Sequence, residues 1–265
     1  MPTTSAKLHR ARAAKNDEFY TQYDDVKKEC DNYLSHFFNK IIYCNCDTAD
    51  SAFVKYFTEL KAAGKIRDVW FSGGLGGDDF RCLASLERLK AADIVVTNPP
   101  FSLFGEFIDQ LMQYNKKFLI IGNLNAISHK YMSDFIRDNK LWLGTRKLGA
   151  IYFITPGGET AGIPAGWYTN LAHNHHRKLV CVKKYAGNES QYPKYDNADA
   201  INVNRVKDIP ADYYGIMGVP ITFADRYDPN EFVWLGADYE FTKNGLRGYI
   251  NNKCLYARVF IKRKI

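Results

Sequence analysis

Ile94-Val95-Val96-Thr97-Asn98-Pro99-Pro100-Phe101 is the stretch on which the reading of this 265-residue chain turns. Four β-branched residues in succession, with no polar alternation, describe a short strand buried on both faces. Asn98-Pro99-Pro100 then stops it, because proline offers no N–H to a ladder and keeps the residue before it extended. A strand covered on both faces is central, and polar residues at its carboxyl end lie where open α/β sheets bind ligands.

The flanking sequence supports a sheet of this kind. Upstream, Ile41-Ile42-Tyr43-Cys44-Asn45-Cys46 reads as a buried strand. Asp47, Thr48 and Asp50 are turn and cap residues, and Ala52, Phe53, Tyr56, Phe57 and Leu60 recur at helical spacing up to Gly64. Val69-Trp70-Phe71 is a second strand, the glycine-rich run from Gly73 to Gly77 a mobile turn, and Leu83, Leu86 and Leu89 mark a helix. Downstream, Phe104, Phe107, Ile108 and Leu111 mark the next helix and Phe118-Leu119-Ile120-Ile121-Gly122 the next strand. Strands alternating with helices predict an α/β fold, a largely parallel sheet with helices on both faces. Its carboxyl ends at Cys46-Asp47, Ser72-Gly73, Asn98-Pro99 and Gly122-Asn123 are expected to converge on one edge.

Past Lys184 the texture changes. Tyr192 to Asp199 is polar and turn-rich, Pro210, Pro220 and Pro229 break up short apolar pieces, and Tyr239 to Arg263 reads as one or two strands. The expected division is a basic arm over 1–15, a main domain over 16–184 and a small C-terminal α+β region over 185–265. The composition, 46% hydrophobic and 15% aromatic, suffices for a full core, and the net charge of +7 suits a polyanionic partner. The six cysteines form no CxxC pair and read as reduced and buried, as in an intracellular protein. No apolar run approaches the ~18 residues of a membrane span, and the polar, basic start is unlike a secretory signal. A cytoplasmic setting is expected.

The residue types at the strand end have a chemical sense. An exocyclic or amide NH2 is a poor nucleophile because its lone pair is delocalised. The Asn98 side-chain oxygen and a proline carbonyl can both accept from such a group, favouring a more tetrahedral nitrogen, and Phe101 can stack on a planar base. A base within a duplex must be flipped out to reach such a pocket. The same residues are also compatible with a turn that merely ends a strand.

Two further segments carry alternatives. Asn16-Asp17-Glu18-Phe19-Tyr20-Thr21 can hold the amino-acid end of a cofactor, or can cap a helix with a hydrophobic staple. Asp78-Asp79-Phe80 can meet an adenine ring, Asp79 through its carboxylate and Phe80 through its face, or can cap the following helix. His173, His175 and His176 lie in a polar, basic run without an acid at ligand spacing, so no metal is expected there.

Taken in order, these pieces resemble the EcoRI-type adenine-specific DNA methyltransferase family. The match runs through Lys15-Asn16-Asp17-Glu18-Phe19-Tyr20-Thr21-Gln22, Tyr43-Cys44-Asn45-Cys46-Asp47, Asp79-Phe80-Arg81 and Ala92 to Phe104, which holds Asn98-Pro99-Pro100-Phe101. It continues through Phe118 to Asn123, Lys140 to Gly144, Trp167 to Leu171, Tyr192 to Asn197 and Gly218 to Phe223. The resemblance implies a Rossmann-like methyltransferase sheet, S-adenosylmethionine as cofactor, and methylation of adenine N6 in duplex DNA by base flipping. It places Asn98, Pro99, Pro100 and Phe101 at the reacting amine. Tyr20, Thr21, Cys46, Asp47, Asp79 and Phe80 fall around the cofactor, and Trp167 and Tyr168 where a ring holds the flipped base. DNA recognition falls to 185–265. A cognate restriction nuclease is a companion the resemblance allows, and no obligate protein partner is implied.

The chain departs from the family between Phe57 and Asp78, where the family has a much longer stretch. This leaves the family's second and third strands, and the acidic residue that holds the cofactor ribose, without clear counterparts. Amino-methylation of RNA or protein, and a DNA-binding relative impaired in catalysis, are the alternative functions.

Overall fold

The computed structural model describes residues 19–73, 79–173 and 179–265. The arm over 1–15, residues 16–18, the run 74–78 and His175 and His176 lie outside them. The chain divides into two units, Met1–Asn123 with Leu143–Asn174, and Leu124–Trp142 with His175–Ile265.

In the first unit the strand Ile94–Thr97 is as the sequence predicts, with all four residues buried. It is β4 of an eight-stranded sheet. The others are β1 (Tyr20–Thr21), β2 (Ile41–Thr48), β3 (Asp68–Gly73), β5 (Lys117–Asn123), β6 (Trp142–Leu143), β7 (Gly149–Ile154) and β8 (Thr160–Thr169). The order is β1-β7-β8-β5-β4-β2-β3, with β6 beside β8. From β5 to β3 the pairing is parallel, whereas β8, β7 and β1 are added antiparallel.

Ile42, Cys44, Ile94, Val96, Leu119 and Ile121 pack on one face against α1 (Tyr23–Cys30), α2 (Leu34–Phe37) and α3 (Ala52–Ala62), through Val26, Phe37, Phe53 and Phe57. The opposite face meets α4 (Leu83–Ala91) and α5 (Phe104–Gln113), which bury Leu89, Phe107, Ile108 and Leu111. Helices on both faces of a mostly parallel sheet make this the expected Rossmann-like α/β architecture. Among the described residues the sheet ends at β3, in keeping with the short stretch after Phe57.

Strand order reverses between β2 and β4: the chain passes from β2 outward to β3, then returns to the other side of β2 at β4. That reversal opens a crevice at the carboxyl ends of the two strands.

The second unit takes α6 (Lys130–Arg137) from the middle of the chain. Its sheet runs β11 (Phe232–Ala237), β14 (Arg258–Arg263), β10 (Ile216–Pro220) and β9 (Ile201–Asn202). Trp234 ties α6 to β11, its indole N–H donating to Ser133 Oγ at 2.8 Å. The stretch from Tyr239 onward, expected as one or two strands, instead holds the end of α7 (Asp238–Phe241), the hairpin β12 (Tyr249–Ile250) and β13 (Lys253–Cys254), and then β14. Arg263 lies with its guanidinium over the Phe232 ring at 4.7 Å. The cysteines are unpaired, but only Cys30 and Cys44 are buried; Cys254 is exposed.

Candidate active site

A pocket of about 450 Å³ opens at the β2–β4 crevice. Phe19, Tyr20 and Thr21 line it from the edge strand, and Cys46, Asp47 and Thr48 from the end of β2. Asp50, Ser51, Ala52 and Phe53 contribute the start of α3, and Asn98, Pro99 and Pro100 the end of β4. Seven of the sequence-predicted site residues therefore meet: Tyr20, Thr21, Cys46, Asp47, Asn98, Pro99 and Pro100. The volume is that of an ordinary small-molecule site.

Tyr20 and Thr21 arrive by a route the sequence does not suggest. They form an edge strand paired with Ile154 and Phe153, and the helix N-cap falls at Gln22, with no side-chain cap bond. Among the described residues of this segment, the backbone of Tyr20 and Thr21 is engaged in sheet pairing directly before the helix begins. Ser51, which caps α3 by accepting from the Val54 N–H at 3.2 Å, is a pocket residue that the sequence reading passes over.

Asn98 is oriented by its surroundings. Its Nδ2 donates to the Phe19 carbonyl at 2.6 Å. A carbonyl only accepts, so this bond fixes which way the amide faces. The Oδ1 is buried and has no partner, as has Thr21 Oγ1. Buried polar atoms are ordinarily paired, so two orphans on the lining of one pocket mark places where a ligand completes the bonding.

Asp47 is 8% exposed, and its Oδ2 accepts from Thr97 Oγ1 at 2.5 Å. Burial pushes its carboxyl up to about 7, against the downward pull of bonds from Thr97, Ser51 and the Asn98 N–H. The pocket lining holds two carboxylates, Asp47 and Asp50, and among the described lining residues no lysine, arginine or histidine. Such a donor set favours a cationic ligand.

The remaining sequence-predicted residues lie elsewhere. The Phe101 ring, partly buried, joins Phe19 and Phe153 at centroid distances of 5.7 and 5.9 Å. Asp79 is exposed and paired with Arg81, which also reaches Glu106. It does not cap α4, where Cys82 accepts from the Ser85 N–H. Phe80 is 4% exposed, edge-on to Phe107 at 5.1 Å, so its ring is a core side chain.

Trp167 and Tyr168 also lie in packing. Both are fully buried: Trp167 packs on Phe53 at 5.8 Å, and Tyr168 packs on Phe104 at 5.2 Å and donates to the Asn123 carbonyl at 2.9 Å. They are successive residues of β8, an interior strand covered on both faces, so both point into packing and neither presents a face to a base. His173 sits against the Leu143 carbonyl at 2.9 Å.

A long anchor holds the floor of this unit. Glu29 of α1 is 1% exposed and accepts from the Thr145 N–H at 2.6 Å, the Arg146 N–H at 2.8 Å, Thr145 Oγ1 at 3.0 Å and the Tyr33 hydroxyl at 3.0 Å. Gly144 permits this approach: a Cβ there would stand 2.3 Å from Glu29 Oε1 and 2.7 Å from the Trp167 Cβ.

Comparisons with known proteins identify the family. The family model described as adenine-specific methyltransferase EcoRI matches residues 7–64, 61–164 and 159–264, and the first junction falls inside the stretch that is short in this chain. The type II methyltransferase M.EcoRI of Escherichia coli is 41% identical over 319 aligned positions, covering 98% of this chain and 97% of the relative. That alignment is longer than the 265 residues here, so the relative carries segments this chain lacks. The type II methyltransferase M.MgeORF184P of Mycoplasma genitalium is 35% identical, over 97% of this chain and 98% of its own length. M.MpnI of Mycoplasma pneumoniae is 33% identical, over 85% and 83%. With the model matching almost end to end and the Asn98-Pro99-Pro100 strand end lining the switch-point crevice, the chain belongs to the EcoRI family of adenine-specific methyltransferases.

Proposed function

We propose that this chain transfers a methyl group from S-adenosylmethionine to the N6 amino group of adenine at a defined site in duplex DNA. The observation that carries the reading is the Asn98 amide: its nitrogen is tied to the Phe19 carbonyl and its oxygen is left as a free acceptor. Placed against an exocyclic NH2, that oxygen accepts one N–H and shifts the nitrogen lone pair out of conjugation. A neutral amide does this without removing a proton outright; the nitrogen loses one proton to solvent once its bond to the methyl carbon has formed. Pro99 and Pro100 hold the backbone of the same wall rigid. Extrusion of the base from the duplex is required for contact.

The fit to the cofactor rests on the two pocket carboxylates, the absence of a basic side chain among the described lining residues, and the orphaned Thr21 hydroxyl. When bound, S-adenosylmethionine supplies an electrophilic methyl carbon on a sulfonium, whose sulfur keeps the bonding pair. Asp47, Tyr20, Thr21 and Cys46, which line the pocket, are the residues that would hold it.

The part over 16–184 is assigned to catalysis and 185–265 to recognition of the DNA site. A cytoplasmic setting fits a chain whose described cysteines are unpaired and in which no described helix is long and apolar enough to cross a membrane. The net charge of +7 supports a polyanionic substrate. Affinity for duplex DNA is expected to fall steeply with salt, with a log–log slope of about −0.9 per phosphate neutralised. A flat salt dependence in a fluorescence titration argues against DNA.

The deciding experiment is methyl transfer from labelled S-adenosylmethionine to duplex DNA, RNA and protein in parallel, with methylated bases mapped in DNA from cells expressing the chain. Label confined to adenine in duplex DNA at one recurring sequence is the expected result. Label in RNA or protein alone overturns it.

A further inference from the structure

The strands β2 and β4 pair only at Ile42 with Ile94 and Tyr43 with Val95. Beyond that point they part, and the register of β2 on β3 shifts between Cys44 and Thr48. Parting strands leave ladder groups without partners, and a buried backbone N–H must be satisfied some other way. Thr97, fully buried at the end of β4, does this with its side chain. Its Oγ1 accepts from the Cys46 N–H at 3.2 Å and donates to Asp47 Oδ2 at 2.5 Å. The next residue, Asn98, donates its backbone N–H to the same carboxylate. One hydroxyl therefore spans the split between the strand that ends at Asp47 and the strand that ends at Asn98.

We propose that Thr97 is a positioning residue, which holds the Asp47 carboxylate toward a cationic group of the methyl donor and keeps that contact in register with the Asn98 amide. This rests on the methyl-donor reading of the pocket given above.

The local chemistry makes the role measurable. Burial raises the Asp47 carboxyl to about 7, and the Thr97 hydroxyl is the first of the bonds that oppose the rise. A bound cation also opposes it, so binding a cationic donor expels the Asp47 proton wherever the free protein holds one. Affinity is then full above about pH 7 and falls as the pH drops below it. Removing the hydroxyl leaves the proton held more tightly, and the fall begins at a higher pH.

The other titratable groups facing the carboxylate do not mimic this. Loss of hydration keeps the thiols of buried Cys44 and half-buried Cys46 of β2 well above their ordinary range, hence neutral in this window. Asp50 before α3 and Tyr20 of β1 also line the pocket, at a distance from the Thr97 hydroxyl along the chain, and Ser51 and Asn98 do not titrate.

The test is calorimetric binding of S-adenosylmethionine from pH 5.5 to 8.5 to the parent, Thr97→Val, Thr97→Ser and Asp47→Asn, with thermal unfolding of each. For Thr97→Val we expect binding about tenfold weaker at neutral pH and a midpoint about one pH unit higher, the size of one lost bond to a buried carboxylate. Thr97→Ser restores both, and Asp47→Asn binds weakly with no pH dependence in this range. A merely structural role lowers the unfolding temperature and leaves the midpoint where it is, which overturns the proposal. Should Thr97→Val not fold, a parental pH profile in Asp47→Asn overturns it equally. If the parent itself binds no donor, the methyl-donor reading fails and this inference with it; donor binding with an unmoved midpoint removes this inference alone.

Discussion

Single-turnover methylation of duplex DNA is expected to drop about 10²- to 10³-fold in Asn98→Ala, a loss of about 3–4 kcal/mol in the transition state. Two bonds are at stake. The acceptor toward the reacting amine disappears, and so does the donor that ties the strand end to the Phe19 carbonyl. Binding of S-adenosylmethionine should change far less, because Asp47 and Thr21 remain. DNA affinity should also survive, since phosphate contacts dominate it. Asn98→Asp is expected to fall between alanine and the parent: it keeps an acceptor, but sets its second oxygen against the Phe19 carbonyl, where the parent has a donor. A rate for the folded Asn98→Ala protein within about threefold of the parent, under 1 kcal/mol by rate arithmetic, removes the motif from the chemistry.

The second large effect is on stability. Glu29→Ala is expected to cost about 3–5 kcal/mol, because the Thr145 and Arg146 N–H groups and the Tyr33 hydroxyl lose their acceptor in a buried place. The carboxylate itself is not at ease there: burial raises its affinity for a proton, against the pull of those bonds. Glu29→Gln is not expected to rescue it. Both oxygens accept from N–H donors, so whichever is replaced by an amide NH2 confronts another donor. Denaturant unfolding of both variants checks this, and a loss under about 1 kcal/mol for Glu29→Ala shows that the loop at 144–146 is held by something else.

What the two sites share is reach along the chain. Asn98 is set by a carbonyl 79 residues away, and Glu29 meets Thr145 across 116 residues. Contacts of this kind have no local pattern. The parallel half of the sheet was legible because unbroken apolar runs such as Ile94–Val96 and Phe118–Ile121 have a short-range signature. The antiparallel half was not: β8 carries Gly162, Pro164 and Gly166, and β1 is two residues long. Asp79 and Phe80 matched a motif in order, yet Arg81 and Phe107 are their partners among the described residues.

The sequence by itself determined the chemistry on offer: an amide and two prolines at the end of a buried strand, acids at the end of another, and the alternation that makes a doubly covered sheet. Order along the chain also sufficed to recognise the family. Only the tertiary structure decided which of these residues meet. The reversal of strand order brings the ends of β2 and β4 to one crevice, and the edge pairing of Tyr20 and Thr21 closes its side. It also decided which rings are spent on packing, since whether Trp167 faces a ligand or Phe53 depends on what covers β8. The physical reason is one of range: hydrophobic periodicity and turn chemistry act over a few residues, whereas burial, an unpaired acceptor and a raised carboxyl are set by whatever the whole fold brings alongside.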